Sequence, residues 1–425
     1  MGATSVDNSK DSCVPPVGRI SKAVWLISLA SLLLTLSSSV VTSIGPVYLY
    51  EVVKISKSDL GVLEGTVEFI SQILRLFAGV FSDSLFSRKS LMVFGFALST
   101  LTKIAFPFAT TFAFFFGTKV IDRMGNGIQA APRDALIGDC SDKSVRGRSY
   151  GLINSMKKFG AAFGAMLAFL LAGYISKEII GYKTVFAVAI VPAVISVLFL
   201  IFFVHPPRRE TFRKTEHTGV VDFFQAFVGN LKIMGRPFWV LMAVIACYGV
   251  AHFNESFLQI RAFEIGADRE VATGVIFVLC LVTGVSAYHF GRLSDKFGKK
   301  RMFGAGIGFM IIANLIMMYY PTMLHFYFAL AFWGLHWAVT QGLLLSLVVD
   351  VSPKHLKGTA FGVYYIIFGA SSFLANIIAG NIWDVFGADA NFMFSSAFGA
   401  FTIVFLFLAD RRKVFKMPEE LNNEK

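Results

Sequence analysis

The chain presents apolar segments one after another, each about as long as a bilayer is thick. A membrane-spanning helix needs roughly 20 apolar residues, so twelve need about 240. With 425 residues, 55% of them hydrophobic, the chain holds close to that number. Reading apolar runs between charged or Gly/Pro breaks gives twelve spans, near 23–48, 60–82, 90–108, 111–131, 147–173, 184–204, 238–260, 272–290, 302–320, 326–349, 359–383 and 392–409. Only 16% of the residues are charged, against about 25% in an ordinary soluble domain. A soluble globular protein, a disordered chain and a collagen-like repeat are therefore excluded, and the fold class is an all-α membrane protein. The first apolar run is too long for a secretory signal, whose apolar core is about 7–15 residues. Cys13, Cys140, Cys247 and Cys280 show no C-x-x-C spacing, so neither a disulfide framework nor a zinc site follows.

The net charge of +12 belongs to loops rather than to a nucleic-acid surface. With both termini in the cytoplasm, 27 Lys/Arg fall on cytoplasmic segments and 6 on outer ones (Lys54, Lys57, Lys177, Lys183, Arg261 and Arg269). Cytoplasmic loops carry the Lys/Arg excess in membrane proteins, and this bias fixes the orientation. The expected organisation is a cytoplasmic tail (1–22), a six-helix bundle (23–204), a cytoplasmic linker with a short amphipathic stretch (205–237), a second six-helix bundle (238–409) and a cytoplasmic tail (410–425).

The two halves repeat. G-V-F-S-D-S-L-F-S-R-K at 79–89 aligns with G-R-L-S-D-K-F-G-K-K-R at 291–301, an offset of 212. D-C-S-D-K-S-V-R-G-R-S-Y-G at 139–151 aligns with D-V-S-P-K-H-L-K-G-T-A-F-G at 350–362, an offset of 211. Two motifs at offsets within one residue of each other, half the chain length, describe two pseudo-symmetric six-helix bundles. Paired repeats with a site at the midplane between them are a transporter plan.

The 291–301 stretch resembles the loop motif G-x-L-x-D-R-x-G-R-R of the major facilitator superfamily. The 79–89 copy departs from it at Ser84 and Phe86. Span 4 carries R-M-G-N-G-I-Q-A-A from Arg123, similar to the family's R-x-x-Q-G-x-G-A-A. The stretches from Asp122, His252 (H-F-N-E-S-F-L-Q-I-R-A) and Gly334 (G-L-H-W-A-V-T-Q-G) resemble one bacterial branch whose members mostly lack an assigned substrate. The resemblance implies a monomeric secondary transporter in the inner (plasma) membrane. It works by alternating access in contact with lipid, with no cofactor, no enzyme activity and no nucleic-acid partner. It also implies a gate: Asp83 against the start of span 11 and Asp295 against the start of span 5, where a helix N-terminus carries partial positive charge. Gly79 and Gly291 would allow close helix approach, and the basic Arg88, Arg301, Arg146 and Lys357 belong to the same loops.

An ionisable side chain at mid-bilayer costs at least about 2.5–3.5 kcal/mol, so each one is a functional candidate. On span 2, Glu64, Glu68, Gln72 and Arg75 fall within about 80° of one another at 100° per residue. On span 4, Lys119, Asp122, Arg123 and Asn126 likewise share one face. Span 3 adds Lys103, and span 5 adds Lys157 and Lys158, about 15 Å in from its start at 1.5 Å per residue. All six intramembrane cations lie in the N-terminal half, against three acids at depth there, Glu64, Glu68 and Asp122. Interhelical pairing, for instance Glu68 with Arg123, can absorb at most three cations, and the excess favours an anion. In the family, the span-4 arginine is tied to coupling or substrate contact. Lys157 stands where the branch carries an acidic residue.

The C-terminal half is polar and aromatic instead. Span 7 carries His252, Asn254 and Glu255; span 10 carries Trp333, His336, Trp337 and Gln341. These residue types suit hydrogen bonding and stacking on a ligand. The expected substrate-binding set is Arg75, Lys103, Arg123, Asn126, Lys157, Lys158, His252, Asn254, His336, Trp337 and Gln341. The expected proton carriers are Glu64, Glu68, Asp122 and Glu255, since burial raises a carboxyl pKa. No metal site is expected. Span 5 reads Gly160-Ala-Ala-Phe-Gly164-Ala165, without the Pro and second Gly pair of the family's exporting antiporters. The favoured reading is proton-coupled uptake of a small organic anion of the carboxylate class, a carboxylate siderophore being one member. A drug or metabolite efflux antiporter and a non-transporting sensor are the alternatives.

Overall fold

The computed structural model of the chain describes residues 19–84, 88–141, 145–174, 179–204, 220–353, 356–412 and 414; of residues 78–84, 220–224 and 226 it describes the backbone alone. The described residues are helical without a single strand. The first six spans are α1 (Lys22–Tyr48), α2 (Lys57–Ser84), α3 (Arg88–Ala105), α4 (Phe112–Asp139), α5 (Arg146–Tyr174) and α6 (Ile179–Phe203). The amphipathic stretch forms α7 (Val220–Leu231), and α8 (Arg236–Ala251) and α9 (Ser256–Glu264) follow it. The chain ends in α10 (Arg269–Phe297), α11 (Lys299–Tyr319), α12 (Met323–Asp350), α13 (Lys357–Phe386) and α14 (Ala388–Arg411).

Local chemistry sets the ends. The Ser21 hydroxyl caps α1 by accepting from Val24 N at 3.2 Å, and Thr111 caps α4 in the same way. Gly298 and Gly387 take φ of 92° and 86° where the chain reverses between α10 and α11 and between α13 and α14, a backbone region open to glycine at little cost. Several helices run past the apolar run that announced them. The hydrophobic signal stops at the first charges, while the helix continues through residues that pair with a neighbour.

Among the described residues, ten spans are long and apolar enough to cross a membrane. The exceptions are α2 and α4, 28 residues each, and they are the two helices that carry the clustered charges. The seventh span is not one helix. It breaks after Ala251 and resumes at Ser256, within the H-F-N-E stretch, where a continuous helix over 238–260 was expected. Asn254 explains the break: its own side-chain oxygen accepts from Ser256 N at 2.9 Å, and its backbone N donates to Asn376 Oδ1 at 2.8 Å. Short Asn side chains compete in this way with the helical hydrogen-bond ladder.

The internal repeat reappears in three dimensions. Arg88 pairs with Asp139 between α3 and α4, and 211 positions on Lys299 pairs with Asp350 at 2.7 Å between α11 and α12. Of the cysteines, Cys247 and Cys280 are free thiols.

Helices α1 and α13 begin, and α2 and α14 end, on what is called below the terminal face; the opposite end is the far face. Across the two halves α2 lies antiparallel on α13, backbone to backbone. A Cβ on Gly61 would sit 2.2 Å from the Asn376 carbonyl oxygen, and one on Gly380 would sit 2.4 Å from that of Lys57. Helices α5 and α10 meet only in their far halves, where Phe169 packs on Gly274 and Glu270 on Gly173. Towards the terminal face they diverge: Gly151, Asn154 and Lys158 on α5 and Gly284, Tyr288 and Arg292 on α10 are exposed. The α5–α10 seam is thus closed at the far face and parted at the terminal face, while α2 stays packed on α13 as far as Leu76 and Gly362.

Candidate functional site

The charged faces of α2 and α4 point into the bundle and sort themselves by partner. Lys119 Nζ lies 2.6 Å from Glu64 Oε1, with both residues under 5% exposed. The Ser256 hydroxyl, at the start of α9, donates to the same Glu64 oxygen at 2.8 Å. One carboxylate therefore satisfies a cation of its own half and ties to the broken span of the other. Lys103 Nζ lies 2.8 Å from Asp122 Oδ1. Asp122 also accepts from Ser99 and, at 3.2 Å, from Thr102, while the ammonium sits over the Phe106 ring at 5.6 Å.

This cluster corrects the expectation for Lys103 and Asp122. Lys103 is fully enclosed and Asp122 is 3% exposed; each is consumed by the other, and neither faces a space a ligand could enter. Burying a lone ammonium costs far more than burying a hydrogen-bonded pair, so the pairing is what allows the lysine to sit there. Asn126 is also spent locally, donating to the Asp122 carbonyl at 3.1 Å and accepting from Gln129 at 3.0 Å.

The remaining cations form no ion pair among the described residues. Arg123 is half-buried and donates to Thr42 Oγ1 at 3.2 Å, and its Nε is buried without a partner. The expected Glu68–Arg123 pair is not formed; Glu68 instead accepts from Gln72 one turn on. Lys158 reaches across the halves to Gln341 Oε1 at 3.0 Å. Lys157 is half-buried and within electrostatic reach of Arg133, Arg75 and Asp134. Arg75 is exposed.

The C-terminal half supplies the opposite wall. Trp337 Nε1 donates to His252 Nε2 at 3.3 Å, which leaves the His252 proton on Nδ1. Both side chains are half-buried, as are Asn254 and Glu255 at the break. The Glu255 carboxylate makes no ion pair among the described residues and lies within electrostatic reach of Lys158, Arg123 and Glu68. His336 is a second correction. It is fully enclosed, its Nδ1 donates to the Gly306 carbonyl at 2.9 Å and its Nε2 lies 3.2 Å from the Tyr248 hydroxyl. Both ring nitrogens are satisfied within the core, so His336 holds α12 to α8 and α11 rather than facing a ligand. The inter-half cleft is therefore lined by Arg123 and Lys158 on one side and by Gln341, Trp337, His252 and Glu255 on the other.

The expected gate is only partly visible. The side chain of Asp83 and the surroundings of Gly79 lie outside the described residues. Arg88 is engaged with Asp139 and with the Ala135 carbonyl. Gly291, expected at a close helix approach, meets no neighbouring element within 4 Å of where a Cβ would stand among the described residues, and Asp295, Arg301, Arg146 and Lys357 are exposed. Asp295 forms no hydrogen bond or ion pair among the described residues and does not reach α5, because α5 and α10 diverge at that end. Sequence reasoning missed Thr42, Ser256 and Asn376, uncharged residues whose role comes from what they touch.

The family model for the Major Facilitator Superfamily matches residues 27–376 and 256–423. The chain belongs to this superfamily. It is a multi-pass membrane transporter, not an enzyme. An uncharacterized MFS-type transporter of Methanocaldococcus jannaschii is 26% identical over 383 residues, covering 89% of this chain and 92% of the relative. A gentisate transporter of Corynebacterium glutamicum is 22% identical over 357 residues, covering 81% and 77%. The quinolone resistance protein NorA of Staphylococcus aureus is 18% identical over 385 residues, covering 86% and 91%. Among solved structures, a D-xylose-proton symporter superposes with a TM-score of 0.71 at 16% identity, covering 90% of this chain and 96% of that one. A bacterial homolog of the human lysosomal transporter Spinster, inward-facing and unoccupied, gives 0.74 at 16% identity, covering 93% and 98%. At these identities the superpositions show the fold.

Proposed function

We propose that this transporter carries a small organic anion of the carboxylate class into the cell together with a proton, working as a monomer by alternating access. The observation that carries the reading is the pair of cleft cations, Arg123 and Lys158, which have no carboxylate within ion-pair distance among the described residues. A fixed cation in a low-dielectric cleft is stabilised by an anion that enters it, and a guanidinium offers a carboxylate two parallel hydrogen bonds. Gln341, Trp337 and His252 supply polar and aromatic contacts opposite. Glu64 and Asp122 are committed to Lys119 and Lys103, so the coupling proton falls to Glu68 or Glu255. The Lys/Arg excess puts the terminal face in the cytoplasm, and the splay of α5 and α10 then opens the cleft inward. The relationship to a gentisate transporter is in keeping with an acidic cargo.

Proteoliposome uptake of a panel of mono-, di- and tricarboxylates, with a carboxylate siderophore among them, tests the proposal. An inward proton gradient should raise uptake, and Arg123→Ala or Lys158→Ala should abolish it. Unchanged uptake in both variants removes the anion site. Extrusion of cationic drugs, with raised drug sensitivity in a deletion strain, would replace the proposal with efflux.

A further inference from the structure

The far face is held shut by a contact that no sequence motif announces. Asp384 sits in the last turn of α13, and its carboxylate caps the amino end of α2, a helix of the other half. Lys57 N donates to Oδ1 at 3.1 Å, Ser58 N to Oδ2 at 2.8 Å and the Ser58 hydroxyl to Oδ2 at 2.6 Å. The first N–H groups of a helix have no partner within it, and that end carries partial positive charge. A carboxylate is the natural cap for such an end. Here it comes from across the interface, 326 positions along the chain from Ser58.

The two helices are in register around it. Gly380 faces Lys57, Asn376 faces Gly61, Phe373 faces Gly65 and Gly369 faces Gln72. A row of close glycine contacts, backbone on backbone at Gly380, Gly61 and Gly65 and glycine on side chain at Gly369, thus runs away from the cap towards the cleft. Such contacts tolerate little sliding, because a Cβ at Gly61 or Gly380 already has no room. Opening the far face must lift α2 from α13 at this end, and that breaks all three hydrogen bonds to Asp384. A second inter-half contact lies on the other side of the same face, where Arg269 Nε donates to Glu51 Oε2 at 2.9 Å and its guanidinium sits 4.9 Å from the Tyr182 ring centroid.

We propose that Asp384 is the clasp of the far face: it favours the far-closed state by capping α2 across the two halves, and each transport cycle must release it. Asp384 is exposed and remote from the cleft, so it acts on the equilibrium between conformations and not on the cargo. Its contacts stand whatever the cargo proves to be. Losing a helix cap of this kind shifts an equilibrium by about 2- to 30-fold.

Ser43 is a suitable reporter. It is fully enclosed on α1, and its carbonyl accepts from Gln259 of α9 at 2.7 Å across the halves. The experiment uses the full chain in detergent, with the four native cysteines replaced and Ser43→Cys introduced, and follows the rate of maleimide labelling. Asp384→Ala should raise that rate about 2- to 30-fold. Asp384→Asn, which keeps the shape and loses the charge, should fall between, and Asp384→Glu should restore much of the closure. An anion that binds the cleft should still bind every variant, so failure of the cargo assignment leaves this result untouched. A merely structural role would lower thermal stability without changing labelling in the folded fraction. Equal labelling in the wild-type and Asp384→Ala backgrounds overturns the proposal. If the Ala variant does not fold, Ser58→Ala, which removes one of the three bonds, decides the matter by the same rate.

Discussion

Lys103 is the residue whose substitution best separates the two kinds of intramembrane cation. Its ammonium is enclosed at 0% exposure and holds Asp122, which is itself 3% exposed. Lys103→Met keeps the length and apolar stem and deletes the charge, leaving Asp122 buried without an ion pair, with the Ser99 and Thr102 hydroxyls as its donors and Arg123 within electrostatic reach. Removing one partner of a buried pair costs about 3–5 kcal/mol, whereas replacing both by neutral groups of similar shape is often close to neutral. Lys103→Met alone should therefore be destabilised by about 3–5 kcal/mol, and adding Asp122→Asn should recover most of the loss. The Asn side chain still accepts from Ser99 and Thr102, so no hydroxyl is orphaned. Thermal unfolding in detergent, followed by size-exclusion of the folded fraction, measures the first quantity. Carboxylate binding to that folded fraction measures the second and should be unchanged throughout. A stable Lys103→Met variant that no longer binds the anion would refute the reasoning, because it would put Lys103 in the cargo site.

Other substitutions probe the core, the helix crossings and the proton carrier separately. His336→Ala should cost about 2–5 kcal/mol, since it leaves a cavity where a fully enclosed ring packed in the core, whereas His252→Ala should leave stability nearly unchanged and weaken transport; melting and uptake measured on both variants check this. Gly164→Ala places a Cβ 2.2 Å from the Leu36 carbonyl oxygen at the α1–α5 crossing, and the forced separation should cost about 1–3 kcal/mol, read as a lower melting temperature. Glu255→Gln should remove the stimulation of uptake by an inward proton gradient while anion exchange survives, if Glu255 carries the proton; retained stimulation moves that role to Glu68.

The architecture was legible because hydrophobic length and Lys/Arg distribution are collective signals. The repeat was legible because its charges are structural: Arg88–Asp139 and Lys299–Asp350 are one interaction made twice. The charged faces of α2 and α4 were legible from the helical period, and the excess of cations over acids from simple counting. What a sequence does not state is which cation meets which acid. Lys103 and Lys119 found Asp122 and Glu64 on neighbouring helices, and Arg123 and Lys158 did not find acids. Nothing in the local pattern separates those outcomes, because each is decided by the rotation of one helix against another. The break in span 7 was hidden for a related reason. His252 to Glu255 lie within an apolar run long enough to span, and only Asn376, more than a hundred residues away, completes the hydrogen bonds that let the backbone leave the helix. Asp384 belongs to no motif, and its role appears only where α13 lies against the start of α2.

The proposed anion site rests on Arg123 and Lys158, which make no ion pair among the described residues. Equilibrium binding of a radiolabelled carboxylate to the purified transporter, wild type against Arg123→Gln and Lys158→Gln, tests it most directly. Saturable binding to the wild type that falls at least about tenfold in each variant, with melting unchanged, is the predicted result; a charge-assisted hydrogen bond is worth about 1.5–3 kcal/mol. Equal binding to all three proteins, or selective binding of an organic cation by the wild type, would contradict it.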